Sequence, residues 1–480
     1  MEISYNRDKY LSEFSIKTLT DRYMIEGEKS PQDAFARAAK AFSDDDAHAQ
    51  RLYDYASKLW FMFSTPVLTN GGTDRGMPIS CFLNHVEDSR RGITSHYTEN
   101  AFLSSVGGGI GGHWSKVRGV GSSTSNGSES TGVIPFLKVV DGEMLAFSQG
   151  ITRRGSYAAY LDISHPEVEE FLDIRKPTGG DINRRSINLH HAVVITDDFM
   201  RLIEGATREE HFNDDWDLID PHTNKVVSTV SAKTLWVKLI QNRVETGEPY
   251  IMFKDTVDKG VPEFQRNLGL EVHHSNLCSE ITLATDVDRT AVCCLSSVNL
   301  EEYDEWKDDE LFIPDLIRML DNVLEYFIAN APQELHRAVY SAKQERSLGL
   351  GAMGFHAHLQ RHSIPFESAI AKAKNRIMFR GIKEKAYAAT KLLAEERGEC
   401  PDAVGYGIRN SHLLAIAPNA SSSIICGNTS PSIEPYRANA FVQKTKTGSS
   451  LLKNEYLEHC LDDLGMNTEE IWQDIIIHDG

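Results

Sequence analysis

The chain lacks most of what would mark a secreted, membrane-bound or nucleic-acid-binding protein. Its seven cysteines (Cys81, Cys278, Cys293, Cys294, Cys400, Cys426 and Cys460) are odd in number and scattered over 480 residues, which does not read as a disulfide framework. There is no CxxC and no His/Cys cluster at zinc spacing, so the sequence implies no structural metal. The residues from Met1 to Arg7 lack the apolar core of a signal peptide, and no apolar run is long enough to span a bilayer. A soluble cytoplasmic enzyme is the expectation. Positive charge is in deficit: a formal net charge of −19 argues against a general nucleic-acid or anionic-membrane binder, although local basic pockets for phosphates are compatible with it. No internal repeat and no low-complexity tail is found.

What is present reads as an ordinary globular composition with a core large enough for two or three domains or one big α/β barrel. Residues 8–62 have apolar positions at helical spacing, through Ala34, Phe35, Ala38, Ala39 and Phe42, then Leu52, Tyr55, Ala56, Leu59 and Trp60. Pro66 and the Gly71-Gly72 pair break that pattern. Beyond them, β-prone runs (residues 191–195 and 291–293) alternate with helical stretches (134–144, 234–245, 313–328 and 367–398). Such alternation argues for an α/β fold. The expected division is a helical region over 1–62 and a barrel over 63–480.

The densest chemistry lies in Asn276, Leu277, Cys278, Ser279, Glu280 and Ile281. A lone cysteine in an apolar strand is ordinarily packing. Here, however, a strand would turn Asn276, Cys278 and Glu280 to one face, and a buried carboxylate needs a partner, so that face should line a polar pocket. The glycine run 107–112 permits close approach of a ligand or another strand, and matches neither a Walker loop nor a dinucleotide fingerprint. The loop Ala417, Pro418, Asn419, Ala420, Ser421, Ser422 and Ser423 is either a plain helix cap or an anion cradle of backbone N–H groups and hydroxyls. Lys116, Arg118, Arg153 and Arg154 flank glycine-containing turns and suit either solvent or a nucleotide.

Several motifs, in order, resemble the large catalytic subunit of ribonucleotide reductase. They are Phe63-Ser64-Thr65-Pro66, Ile79-Ser80-Cys81-Phe82-Leu83, Ser275 through Ile281, Val292-Cys293-Cys294-Leu295-Ser296-Ser297-Val298-Asn299-Leu300, Gly407-Ile408-Arg409-Asn410-Ser411, Ala417 through Ser423, and Ser432-Ile433-Glu434-Pro435. The resemblance implies a ten-stranded α/β barrel with Cys278 on a finger loop inside it, and deoxyribonucleotide synthesis by thiyl-radical chemistry. Cys278 would take the 3′ hydrogen of the ribose, Glu280 would accept the 3′-hydroxyl proton and Asn276 would hydrogen-bond the substrate. Cys81 and Cys293 would form the redox-active pair, with Cys294 structural. Pro418, Asn419, Ala420, Ser421, Ser422 and Ser423 would hold the substrate phosphates, with Ser64, Thr65, Ser80 and Gly109 close by.

The resemblance extends to control. Asp88 and Arg118 match positions that bind a nucleoside triphosphate effector at a homodimer interface. Residues 122–130 resemble a first specificity loop, and 149–156, with Gln149 and Arg153, a second. It also implies partners: a radical-generating metal subunit, with no metal in this chain, and thioredoxin or glutaredoxin as reductant. The tail from Phe441 onward looks closer to class I, which acts on diphosphates; adenosylcobalamin chemistry of class II is the alternative. The familiar amino-terminal ATP cone, the adjacent tyrosine pair and the Cys-rich tail are not found. The expectation is therefore a barrel incomplete at its C-terminal end and inactive without a complementing chain, of a virus-like kind that would work in host cytoplasm. A purely regulatory nucleotide-binding fragment is the rival, against which the full set of redox residues speaks.

Overall fold

The computed structural model describes residues 1–149, 153–445 and 448–480. Its first part is helical as the periodicity predicts, with helices Glu13–Arg22, Pro31–Ala41 and Asp46–Ser57. Each starts at a polar cap: Ser12 and Asp45 accept backbone N–H groups, and Ser30 with Asp33 forms a capping box ahead of Pro31. A cap of this kind contributes about 1 kcal/mol. Ala34, Phe35, Ala38 and Ala39 share one buried face. That face joins a common core with the helix Phe312–Asn330, where the Tyr55 and Phe312 rings meet edge-on at 5.0 Å. Arg51 seals the contact with two bonds to Asp315, at 2.6 and 2.9 Å.

The centre is a mixed sheet of eight strands: β1 (Phe61–Phe63), β2 (Cys81–His85), β3 (Gly109–His113), β4 (Ser156–Asp162), β5 (His190–Ile195), β6 (Tyr250–Phe253), β7 (Ala291–Asn299) and β8 (Leu348–Met353). Strands β2 to β6 run parallel as neighbours. The long β7 reverses direction: it is antiparallel to β2 through residues 291–293 and to β1 through 296–298, and parallel to β8. Strands β3 and β8 are buried along their whole length, as expected where helices or chain cover both faces.

The ten strands expected from the resemblance are not reached among the described residues. Eight are present, and Leu414 adds one isolated parallel bridge to Leu350 outside β8. The sheet nevertheless curls round an inner segment. Val272 and Leu277 pack on Ala158, Tyr160, Val194 and Met252 of β4 to β6, while Ile281 and Leu283 pack on Leu83, Cys81 and Cys293 of β2 and β7. One stretch of chain touches both arms because the sheet wraps it.

A buried carboxylate fixes the outer edge. Asp321 is fully buried and meets Arg346, Arg397 and Arg409 at 2.8–2.9 Å, with the Asn410 amide at 3.0 Å. Burial alone would raise this acid, but the guanidinium groups hold it below its ordinary value. It pins residues 409 and 410 beside β8, just upstream of the loop 417–423.

Candidate active site

Residues 276–280 are not a strand. The chain turns there, with Ser279 at φ +66°, and the turn is closed by its own asparagine. Asn276 is buried; its amide donates to Glu280 Oε2 at 2.7 Å and its carbonyl oxygen accepts from the Ile281 N–H at 3.2 Å. The alternation of Leu277 and Ile281 with polar residues imitates a strand, but the Asn276 side chain supplies the local bonds that a ladder would otherwise provide. Instead of sharing a strand face, Asn276 lies inside the turn and Cys278 is exposed at its tip.

The glycines of β3 explain why this turn fits inside the sheet. A Cβ at Gly111 would lie 2.0 Å from the Ser275 carbonyl oxygen, and one at Gly109 2.8 Å from Leu277 Cδ2. Backbone therefore crosses backbone where a side chain would stand. From β4, the Tyr160 hydroxyl donates to the Asn276 carbonyl at 2.7 Å and lies 3.2 Å from Ser279 Oγ. Sequence reasoning missed Tyr160, since nothing in β4 marks it before the inner segment is placed.

Beneath the turn, Cys81 of β2 and Cys293 of β7 are direct partners across the antiparallel ladder. Opposed residues in such a ladder have Cα atoms roughly 4.5–5.5 Å apart, within the range a disulfide spans. Burial pushes the Cys293 thiol well up, with Cys81 and then Cys294 and Glu280 adding to the effect, so Cys293 keeps its proton at neutral pH. A Cβ at Gly349 of β8 would stand 2.9 Å from Cys293 Sγ, so this glycine makes room for the sulfur. The Gly349-Leu350-Gly351 alternation could have signalled that.

Glu280 is partly buried. Oε2 is held by Asn276, whereas Oε1 is shielded from solvent with no hydrogen-bond partner among the described residues. Desolvation raises this carboxyl against the opposing effect of the Asn276 bond. An unsatisfied, basic oxygen beside an exposed thiol and an opposed dithiol can take a proton from a hydroxyl placed there.

The other predicted positions fall into two groups. Ser64 follows β1 and its hydroxyl is buried without a partner among the described residues; Thr65 Oγ1 lies 3.0 Å from the Tyr23 hydroxyl; the Ser80 carbonyl accepts from the Gly109 N–H at 2.7 Å. Asn419, Ser422 and Ser423 are buried and Pro418 and Ala420 are exposed, in a loop pinned by Asn419 to the Ala352 carbonyl of β8. Ser421 stands at the N-cap position of the four-residue helix Ser422–Ile425 without a side-chain capping bond, and that helix packs on β1. The Ser64 and 417–423 segments thus meet at one end of the sheet.

The second group lies apart from these residues. Arg118 pairs with Asp88 at 2.9 Å and also donates to the Ser123 carbonyl, while His222 Nδ1 lies 3.7 Å from Asp88. Ser123 bridges Glu129, closing loop 122–130 as a hairpin whose base Arg118 grips. Gln149 and Arg153 oppose each other in a short antiparallel ladder; Gly150, Ile151 and Thr152 between them lie outside the described residues.

Comparison with known proteins agrees with this architecture. A family model of the ribonucleotide reductase all-alpha domain matches residues 9–76, and one of the ribonucleotide reductase barrel domain matches 79–404 and 402–479. The chain is 44% identical over 529 aligned residues to the ribonucleoside-diphosphate reductase large subunit of Invertebrate iridescent virus 3, covering 100% of this chain and 83% of that one. It is 50% identical over 435 residues to a provisionally named ribonucleoside-diphosphate reductase large subunit of Frog virus 3 (isolate Goorha), covering 90% and 74%. Among solved structures, the Actinobacillus ureae class Id ribonucleotide reductase alpha subunit superposes with a TM-score of 0.85 at 34% identity, covering 100% of this chain and 84% of that one. Helical domain, wrapped sheet and both matched models in sequence order lead to one conclusion: the chain belongs to the ribonucleotide reductase large-subunit family.

Proposed function

We propose that the chain reduces ribonucleoside diphosphates to 2′-deoxyribonucleotides, with Cys278 as the thiyl-radical site and Cys81 with Cys293 as the reducing pair. The observation that carries this reading is the direct opposition of Cys81 and Cys293 under a turn that presents Cys278 and Glu280. The Cys278 thiyl takes the 3′ hydrogen atom, and Glu280 takes the 3′-hydroxyl proton. The 2′-hydroxyl leaves as water on a proton from the pair. The second thiol delivers its hydrogen to C2′ as the pair closes to a disulfide and supplies two electrons in all, Glu280 returns its proton to the 3′ oxygen, and Cys278 returns the hydrogen atom to C3′ and is a thiyl again. Asn276 both holds the turn and keeps Glu280 in place; burial of Cys293 keeps it protonated until its hydrogen is needed.

Phosphates are assigned to the loop Pro418, Asn419, Ala420, Ser421, Ser422 and Ser423, where small residues leave backbone N–H groups accessible, with the unpaired Ser64 hydroxyl as a further donor. Thr65, Ser80 and Gly109 line the approach. Asp88, Arg118, Gln149 and Arg153 are assigned to a nucleoside triphosphate effector. A homodimer fits the helix Ile134–Ala146, where Val139 (50%), Leu145 (57%) and the following Phe147 (44%) stay exposed. The family's large subunit implies a small subunit that delivers the radical; this chain contributes the thiol that receives it. The class Id title of the similar Actinobacillus ureae structure favours that source over adenosylcobalamin. Thioredoxin or glutaredoxin would reopen the disulfide. Among the described residues no helix is long and apolar enough to cross a membrane, and host cytoplasm suits the viral relatives.

The test is deoxyribonucleotide formation from each ribonucleoside diphosphate by the chain together with its small subunit and any complementing chain. Product that depends on Cys278 is expected. Product only on adding adenosylcobalamin would move the enzyme to class II, and no product from the full assembly would overturn the reading.

A further inference from the structure

Beyond the C-terminal ends of β7 and β8, three potential metal ligands come together that the reduction does not use. Asp304 lies on the short helix Tyr303–Trp306, which follows β7. His358 lies on the helix Phe355–Arg361, which follows β8, and His362 is the C-cap of that helix. Two histidines four residues apart share one helical face, and their rings are 4.4 Å apart. His362 Nε2 is 2.9 Å from Asp304 Oδ2, and one donor atom from each of the three residues lies within 4.8 Å of the others.

We propose that Asp304, His358 and His362 bind one divalent transition-metal ion of the zinc class. Bonds of about 2.0–2.1 Å in a tetrahedral site put donor atoms roughly 3.3 Å apart, so donors within 4.8 Å of one another need close by at most roughly 1.5 Å. His358 is fully buried and its Nδ1 has no hydrogen-bond partner among the described residues, an arrangement that is costly unless something occupies the site. Two imidazole nitrogens and one carboxylate oxygen, with no sulfur, select zinc, cobalt or nickel over calcium or magnesium.

The surroundings already attract cations. Lys307 Nζ lies 2.7 Å from Asp304 Oδ1, and Lys374 Nζ lies 3.2 Å from His358 Nε2. By donating to Nε2, Lys374 keeps the imidazole proton on Nδ1 and so competes with a metal at either nitrogen, and three protein ligands leave a position for water. The absence of zinc spacing in the sequence missed this group because its carboxylate comes from a different element. An ion here would tie the segment after β7 to the helix after β8, bracing the two strands that carry Cys293 and Gly349. Along β7, six residues at about 3.3 Å each separate Cys293 from the strand's end, so the site stands roughly 20 Å from the thiol pair.

The experiment is Co²⁺ titration of the purified chain by calorimetry and visible absorption, against the exposed-ligand variants Asp304→Asn and His362→Ala. Cobalt distinguishes nitrogen and oxygen ligation from thiolate ligation by the absence of a sulfur charge-transfer band. One equivalent with nitrogen/oxygen bands, lost in both variants and bound at least several-fold tighter in Lys374→Met, is expected. A zinc-induced rise in melting temperature should disappear in the same two variants. No such equivalent, binding unchanged in Asp304→Asn and His362→Ala, or thiolate-type bands alone would overturn the proposal. The last two results would leave His362 and Asp304 as a simple ion pair.

Discussion

Two parts of the same site hold cysteine in opposite ways. Cys81 and Cys293 sit on strands, where ladder register makes them direct partners and burial keeps the Cys293 thiol protonated. Cys278 sits at the exposed tip of a turn held by one asparagine side chain, one tyrosine hydroxyl and two glycines that give way to it. The difference follows from the chemistry proposed for each. A pair that must close to a disulfide needs fixed geometry, whereas a thiol that receives a radical and then meets a substrate needs to be reachable from more than one side.

The comparison can be broken most decisively at the tip. Cys278→Ser should abolish turnover of the complete assembly while circular dichroism and melting temperature stay unchanged; retained turnover would remove the assignment. Glu280→Gln should lower kcat by about 10²–10⁴-fold, the usual worth of a positioned general base. Because burial raises this carboxyl, the acid limb of the rate profile should fall at a pH above the ordinary glutamate value of about 4.3, and should vanish in the glutamine variant. Activity that is already full at that pH would contradict the role.

The supports rank below the reacting groups. Gly111→Ala puts a methyl where the Ser275 carbonyl lies and should displace the turn, costing about 10²-fold in turnover and about 1–3 kcal/mol of stability. At the ladder, Cys293→Ser should block reduction yet leave 3′ hydrogen abstraction intact, read as isotope exchange at that position. Loss of both would mean that the two regions are not separable. The smallest effect is expected at Tyr160→Phe, which removes one bond to the Asn276 carbonyl: about 1–3 kcal/mol of stability, with kcat lowered and KM unchanged.

Stability outside the site offers a contrast. Asp321→Ala would leave Arg346, Arg397 and Arg409 without their shared carboxylate and should cost about 3–5 kcal/mol, visible in urea denaturation. The sign of its pH dependence is fixed: a carboxyl lowered by folding stabilises above its unfolded value, near 4, and that contribution is lost as pH falls below it.

Much of this was legible in advance, for reasons that can be named. Long amphipathic stretches such as 313–328 declare themselves because periodicity accumulates with length, and the helix found is Phe312–Asn330. The run 191–195 reads as a strand because β-branched residues dominate it, and the strand found is His190–Ile195. The turn at 276–280 misled because a five-residue window cannot separate a true alternation from a side chain that closes on its own backbone. Strand β3 was hidden because glycine disfavours strands, and only the chain crossing it shows why Gly109 and Gly111 are there. Tyr160, Gly349 and the Asp304–His358–His362 group depend on contacts between distant segments, which no local pattern carries.

The most direct test of the central claim is peptide mapping of the complete assembly after a single turnover with no external reductant. One Cys81–Cys293 disulfide per deoxyribonucleotide formed, with Cys278 recovered as a thiol, is the predicted result. Product formed while Cys81 and Cys293 both remain thiols, or a disulfide that includes Cys278, would contradict the account.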